Sequence, residues 1–103
     1  MVADYLAAEL NNEHIDRQVK TGAADRGDVR GVTIAGHKLA IECKDVHTLA
    51  LPAWTREAQA EAANLGAVAG VVVHKRRGTQ NPGDQWVSMT LADLAKIIRS
   101  TNA

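Results

Sequence analysis

The chain has 103 residues, which fits one compact domain and leaves no room for two. Apolar residues make up 46% of it but aromatics only 3%, with no Phe, so the core must come from Val, Ile, Leu and Ala, packed as thin helices on a sheet. Twelve basic and twelve acidic residues give a net charge of zero, which excludes a uniformly basic nucleic-acid binder but not a chain with one basic and one acidic face.

Residues 3–10 place apolar side chains at helical spacing and predict a short first helix that stops at Asn11-Asn12. Residues 14–20, with Ile15 and Val19 as apolar points, read as a first strand. Residues 21–28 hold two glycines and two aspartates and read as a turn. Residues 29–34 and 38–44 form a predicted β-hairpin about a tight connection at Ala35-Gly36-His37. A loop over 45–52 ends at Pro52, a residue suited to opening a helix, and the Ala- and Glu-rich helix 53–65 closes at Gly66. The apolar run 68–74 reads as a buried central strand. A basic loop over 75–84, expected to be flexible, leads to a last strand at 85–90. Thr90 and Asp93 form a capping box for a final helix at 91–100. The order is α-β-β-β-α-β-β-α: an α/β fold with a central mixed five-stranded sheet flanked by helices. The step through 53–65 should be a right-handed parallel crossover.

The strand at 38–44 carries the chemistry. Side chains alternate faces along a strand, so Leu39, Ile41 and Cys43 point to a core. Ala40, Glu42 and Lys44 point to the other side, with the last two about 7 Å apart between Cα atoms. Asp28 begins the neighbouring hairpin strand and should lie near residues 42–44. Two carboxylates on adjacent strands can hold a hard cation through oxygen ligands, beside a lysine able to orient a water and stabilise negative charge.

Asp28 followed by Glu42-Cys43-Lys44 resembles the PD-(D/E)xK nuclease superfamily. The stretch from Gly22 to Val29, Ile41 to Lys44, Trp54, helix 57–64 and Val71 to Arg76 look like its Holliday-junction-resolvase-like branch, found in phage and actinobacterial genomes. The resemblance covers most of the chain. It implies a restriction-endonuclease-like core and a Mg²⁺- or Mn²⁺-dependent endonuclease on branched or junction DNA, acting as a homodimer in recombination or repair. Asp28 and Glu42 would bind the metal, with the Cys43 backbone carbonyl as a further ligand, and Lys44 would assist the water. The branch often carries a catalytic Glu on its first helix; the candidates here are Glu9 and Glu13, with Glu57 and Glu61 as further acids on the second helix. Arg17, Lys20, Arg26, Arg30, Lys75, Arg76 and Arg77 are the expected DNA-backbone contacts.

Plainer roles stand beside these. Asp25 suits an Asx turn or a partner for Arg26, and is a ligand only if it replaces Asp28. Trp54 shares a face with Glu57 and Glu61 and packs the helix start, while Gln59 is expected to be merely exposed. Cys43, the single cysteine, excludes a disulfide framework, suits a reducing compartment and reads as a small buried hydrophobe. The four histidines fall on unrelated elements and receive no catalytic role. No run approaches the roughly 20 apolar residues of a membrane span, and the start lacks a basic secretory region. A soluble cytoplasmic protein is expected, in the host cytoplasm if phage-encoded. The alternatives are a nicking, repair or single-strand endonuclease of the same fold, and a non-catalytic DNA-binding module.

Overall fold

A computed structural model describes residues 1–19 and 25–102. Half of the expected turn at 21–28 (residues 21–24), and Lys20, lie outside the described residues.

Helix α1 (Val2–Glu9) leads to the short strand β1 (Asp16–Arg17). The expected strand at 29–34 is instead two pieces, β2 (Val29–Arg30) and β3 (Thr33–Ile34). The break has a steric origin. Gly31 adopts φ +83°, and a Cβ there would fall 2.3 Å from the His14 carbonyl oxygen, so the chain bends where it crosses the 12–15 turn. A two-residue turn at Ala35-Gly36 then reverses it into β4 (His37–Lys44), with Ile34 opposite His37 and Thr33 opposite Lys38.

Helix α2 (Leu51–Leu65) starts just before Pro52 and ends at Gly66, and it delivers the chain to β5 (Ala69–His74), parallel to β4. The loop expected at 75–84 contains a 3₁₀ turn at Pro82–Asp84 that sequence periodicity did not suggest. Strand β6 (Trp86–Ser88) pairs antiparallel with β5, and α3 (Leu91–Thr101) closes the chain. The Thr90 hydroxyl accepts from the Asp93 N–H at 3.1 Å, as a capping residue should. The sheet order is β1-β2-β4-β5-β6, with β3 paired to β4, giving a mixed sheet of six strands among the described residues rather than five. No described helix is long and apolar enough to cross a membrane.

The sheet has two unlike faces. Ile41 and Val71 join Ala3, Ile15, Val29 and Val32 in an apolar core, with Leu39, Cys43 and Ile97 packed against it. On the α2 face, Trp54, Ala58 and Val72 form a smaller core. This helix comes very close to the sheet. A Cβ on Gly70 would sit 2.1 Å from the Ala58 carbonyl oxygen, so only glycine admits the approach. The intimacy brings helix carboxylates onto β4.

Candidate metal centre

Four carboxylates from three elements converge on the α2 face. Glu42 comes from β4, Glu57 and Glu61 from α2, and Asp25 from the loop before β2. One oxygen of each lies within 4.8 Å of the corresponding oxygen of every other. Glu57 and Glu61 are four apart on one helix and so share a face. Glu42 reaches them because it occupies the β4 face that α2 covers. Glu42 and Glu61 are buried, while Asp25 and Glu57 are open to solvent. The cluster thus runs from the interior to the surface.

Glu42 Oε2 is buried and has no hydrogen-bond partner among the described residues. Burying a carboxylate oxygen without compensation is costly. The donor set is entirely oxygen, which suits a hard divalent cation such as Mg²⁺ or Mn²⁺ rather than a thiophilic one. The residues therefore fit the metal that the resemblance implies. Lys44 Nζ lies 2.9 Å from Glu57 Oε2, at the mouth of the pocket.

Asp28 lies beside the same strand, as expected, but is not in this group of four. The hairpin register sets Val29 opposite Ile41, and the Asp28 N–H donates to the Ile41 carbonyl. The Asp28 carboxylate is thereby brought beside β4, but its Oδ2 accepts from the Cys43 N–H at 2.8 Å, and it is not one of the four converging groups. The Cys43 carbonyl leaves the strand on the same side as its N–H, toward Asp28. Burial above all, then the charge of Asp28, pushes the Cys43 thiol up to about 11.

Asp25 takes a place that the expected Asx turn alone would not require. Its Oδ1 accepts from the Gly27 N–H at 3.0 Å, which is that turn, and its backbone carbonyl accepts from Asn64 Nδ2 at 2.8 Å, which ties the loop to α2. Gly27 has φ +95°, and a Cβ there would come within 2.9 Å of the Ile41 carbonyl oxygen. Glycine thus lets the loop lie directly on β4 and present Asp25 to the pocket. The signal available in the sequence was the Asp-x-Gly spacing facing two helix glutamates one turn apart.

The other candidates divide. Glu9 and Glu13 are exposed and outside the cluster, so no carboxylate from the first helix completes it. Arg17, Arg26 and Arg30 are exposed, and Arg30 pairs with Asp16 at 3.7 Å. The basic segment expected to be a flexible loop is tied by its own side chains. Lys75 Nζ donates to the Thr79 carbonyl, Gln85 accepts from the Arg76 N–H, and Gln85 Nε2 donates to the Thr79 and Asn81 carbonyls. Gln59 is not a bystander: its Nε2 donates to Asp93 Oδ2 at 3.2 Å and links α2 to α3. Trp54 is buried against His74, with ring centroids 5.6 Å apart, and packs rather than binds. His74 itself is buried, its Nε2 2.7 Å from the Ser88 hydroxyl, and burial lowers its pKa.

Neither a family model, nor a curated protein, nor a solved structure matches this chain.

Proposed function

We propose that the chain is a divalent-metal-dependent endonuclease of the PD-(D/E)xK type that hydrolyses phosphodiesters in branched or structured DNA, on a restriction-endonuclease-like core. The observation that carries this is the buried Glu42 Oε2, without a hydrogen-bond partner among the described residues, in a cluster of four carboxylates, with Lys44 two residues along the same strand. Glu42, Asp25 and Glu61 would hold the ion, with Glu57 shared between the ion and Lys44. When bound, the ion would supply a nucleophilic water and neutralise charge developing on the phosphate oxygens.

The chain's own groups do the rest. Lys44 sits where a scissile phosphate would meet the pocket mouth, and its ammonium offsets the approach of an anion to a cluster of acids. Glu57 holds that ammonium in place. Asp28, fixed to the Cys43 N–H, pins the end of β4 and so positions Glu42 and Lys44. Arg26, exposed on the loop beside Asp25, and the 75–77 segment would hold the backbone on either side without reading sequence.

One pocket cuts one strand, so symmetric paired nicks require two copies. Leu91, Leu94 and Ile98 form an exposed apolar stripe on α3, which supports a homodimer. Sedimentation of the intact chain should give twice the monomer mass; a monomer at micromolar concentration would restrict it to single nicks.

The test is cleavage of four-way junctions, flaps, single strands and linear duplex with Mg²⁺ or Mn²⁺, for wild type and Glu42→Ala. Metal-dependent cutting by the wild type alone is expected. Identical behaviour of the two proteins would remove catalysis from this pocket and leave a DNA-binding module.

A further inference from the structure

A second concave feature lies on the α2 face, beside the acidic pocket. It is a groove of about 1000 Å³ at the carboxyl ends of β4 and β5, walled by the loop after β4 and the loop after β5. Lys44 pairs in register with His74, and His74 with Trp86, so the three residues lie in one line across the sheet. Adjacent strands are about 4.8 Å apart, which puts Trp86 roughly 10 Å from Lys44.

The chemistry of the groove is specific. Trp86 is 50% exposed on the edge strand, so part of its indole is open to a ligand. The Arg76 guanidinium carbon stands 4.6 Å from the centroid of its ring, so a cation and an aromatic surface are presented together. Val46 and Leu49 expose apolar side chains on the opposite wall. Lys75, Arg76 and Arg77 line the groove, and Asp45 is the one acidic lining residue among the described residues. Arg77 Nη2 donates to the His47 carbonyl at 3.3 Å, which joins the two walls at that point.

Aromatic and apolar surface between cations is the combination that binds unpaired nucleotides: bases stack, and the backbone follows the charge. A paired base keeps both faces covered within its stack, whereas an unpaired base is free to stack on the Trp86 indole. We propose that this groove holds an unpaired stretch of a DNA strand, one base stacked on Trp86, next to the phosphate presented to the acidic pocket. The preferred substrates are then strands unpaired beside the cut, such as flaps and open junction arms, rather than continuous duplex. The groove's affinity for single strands stands on its own geometry; only the register to the cut rests on the nuclease assignment.

Binding is measured in EDTA, where cleavage cannot occur, using a twelve-residue oligothymidylate and a blunt duplex of equal length. Saturable quenching of tryptophan emission by the single strand is expected, with weaker binding to the duplex. Trp86→Ala should weaken single-strand binding about tenfold and leave duplex binding unchanged, and Trp86→Phe should retain most of it. Cooperative thermal unfolding of both variants checks that they fold. Equal binding of the two DNAs with no quenching, or a Trp86→Ala variant indistinguishable from wild type, overturns the proposal. Quenching without cleavage in Mg²⁺ sinks the nuclease assignment and keeps the groove. Cleavage of flap and duplex by Trp86→Ala in the wild-type ratio sinks the groove and keeps the nuclease.

Discussion

The two sides of β4 are built from alternate residues of one eight-residue strand and have opposite characters. Toward α1 and α3, Leu39, Ile41 and Cys43 meet hydrocarbon. Toward α2, Ala40 is small enough to let the helix close in, and Glu42 and Lys44 meet carboxylates. The first side gains free energy from apolar burial. The second gathers like charges and buries a Glu42 oxygen that has no partner among the described residues, which costs free energy unless a cation is bound. A single strand thus separates stability from chemistry by its two-residue period, and neighbouring substitutions on it should have unrelated consequences.

The largest effect is expected on the α2 side. Glu42→Ala should reduce cleavage by at least about 100-fold, the upper end of what loss of even an outer-sphere metal partner costs. It should also abolish stabilisation by metal. For the wild type, Mn²⁺ at about 100 times its Kd adds about 2.7 kcal/mol, a rise of roughly 10 °C or more in Tm for a chain of this size. A Tm that ignores Mn²⁺ in the wild type would break the contrast between the two sides. On the other side, Ile41→Ala should destabilise by about 3 kcal/mol, through lost burial and the cavity left behind, and keep the metal-induced rise. If Ile41→Ala instead removed that rise, the two sides would not be independent.

A sharper division concerns the two aspartates. The resemblance assigns Asp28 to the metal, whereas the geometry places Asp25 among the converging oxygens and Asp28 on the Cys43 N–H. Asp25→Ala should therefore weaken Mn²⁺ binding by about tenfold or more, as measured by calorimetry. Asp28→Ala should act mainly on stability, by leaving a strand N–H without its acceptor, at about 1–3 kcal/mol. The reverse ranking would restore Asp28 as the ligand. The smallest effect is a pH dependence. The Cys43 thiol is raised from 9.0 to about 11, so the folded state holds its proton more tightly than the unfolded chain does. That contribution is complete below pH 9 and is lost as pH rises toward 11. Cys43→Ala should flatten the alkaline fall in stability, and an unchanged profile would mean that Cys43 titrates alike in both states.

Much of this layout was legible before any coordinates. Apolar spacing marked the first helix, Ala- and Glu-rich composition between Pro52 and Gly66 the second, and the Thr90–Asp93 cap the third, while the alternation of β4 separated Ile41 from Glu42. What escaped has local causes. Gly31 splits a strand because the chain must clear the His14 carbonyl, a contact between segments that periodicity does not carry. The 3₁₀ turn and the tied basic loop depend on Gln85, whose three hydrogen bonds are visible only in three dimensions. Asp25 read as a turn residue because it is one; that the same turn faces Glu57 and Glu61 follows from the close approach allowed by Gly70 and the anchor from Asn64. Gln59 looked exposed because nothing in the sequence brings Asp93, at the start of α3, within reach of α2.

The most direct test is a crystal grown with Mn²⁺ and measured at the metal's absorption edge. An anomalous peak is expected among the carboxylates of Asp25, Glu42, Glu57 and Glu61, with metal–oxygen distances to Glu42 near 2.2 Å, roughly those of a small hard cation. A well-ordered pocket with no peak at saturating Mn²⁺ would contradict the assignment of a metal centre to this face of the sheet.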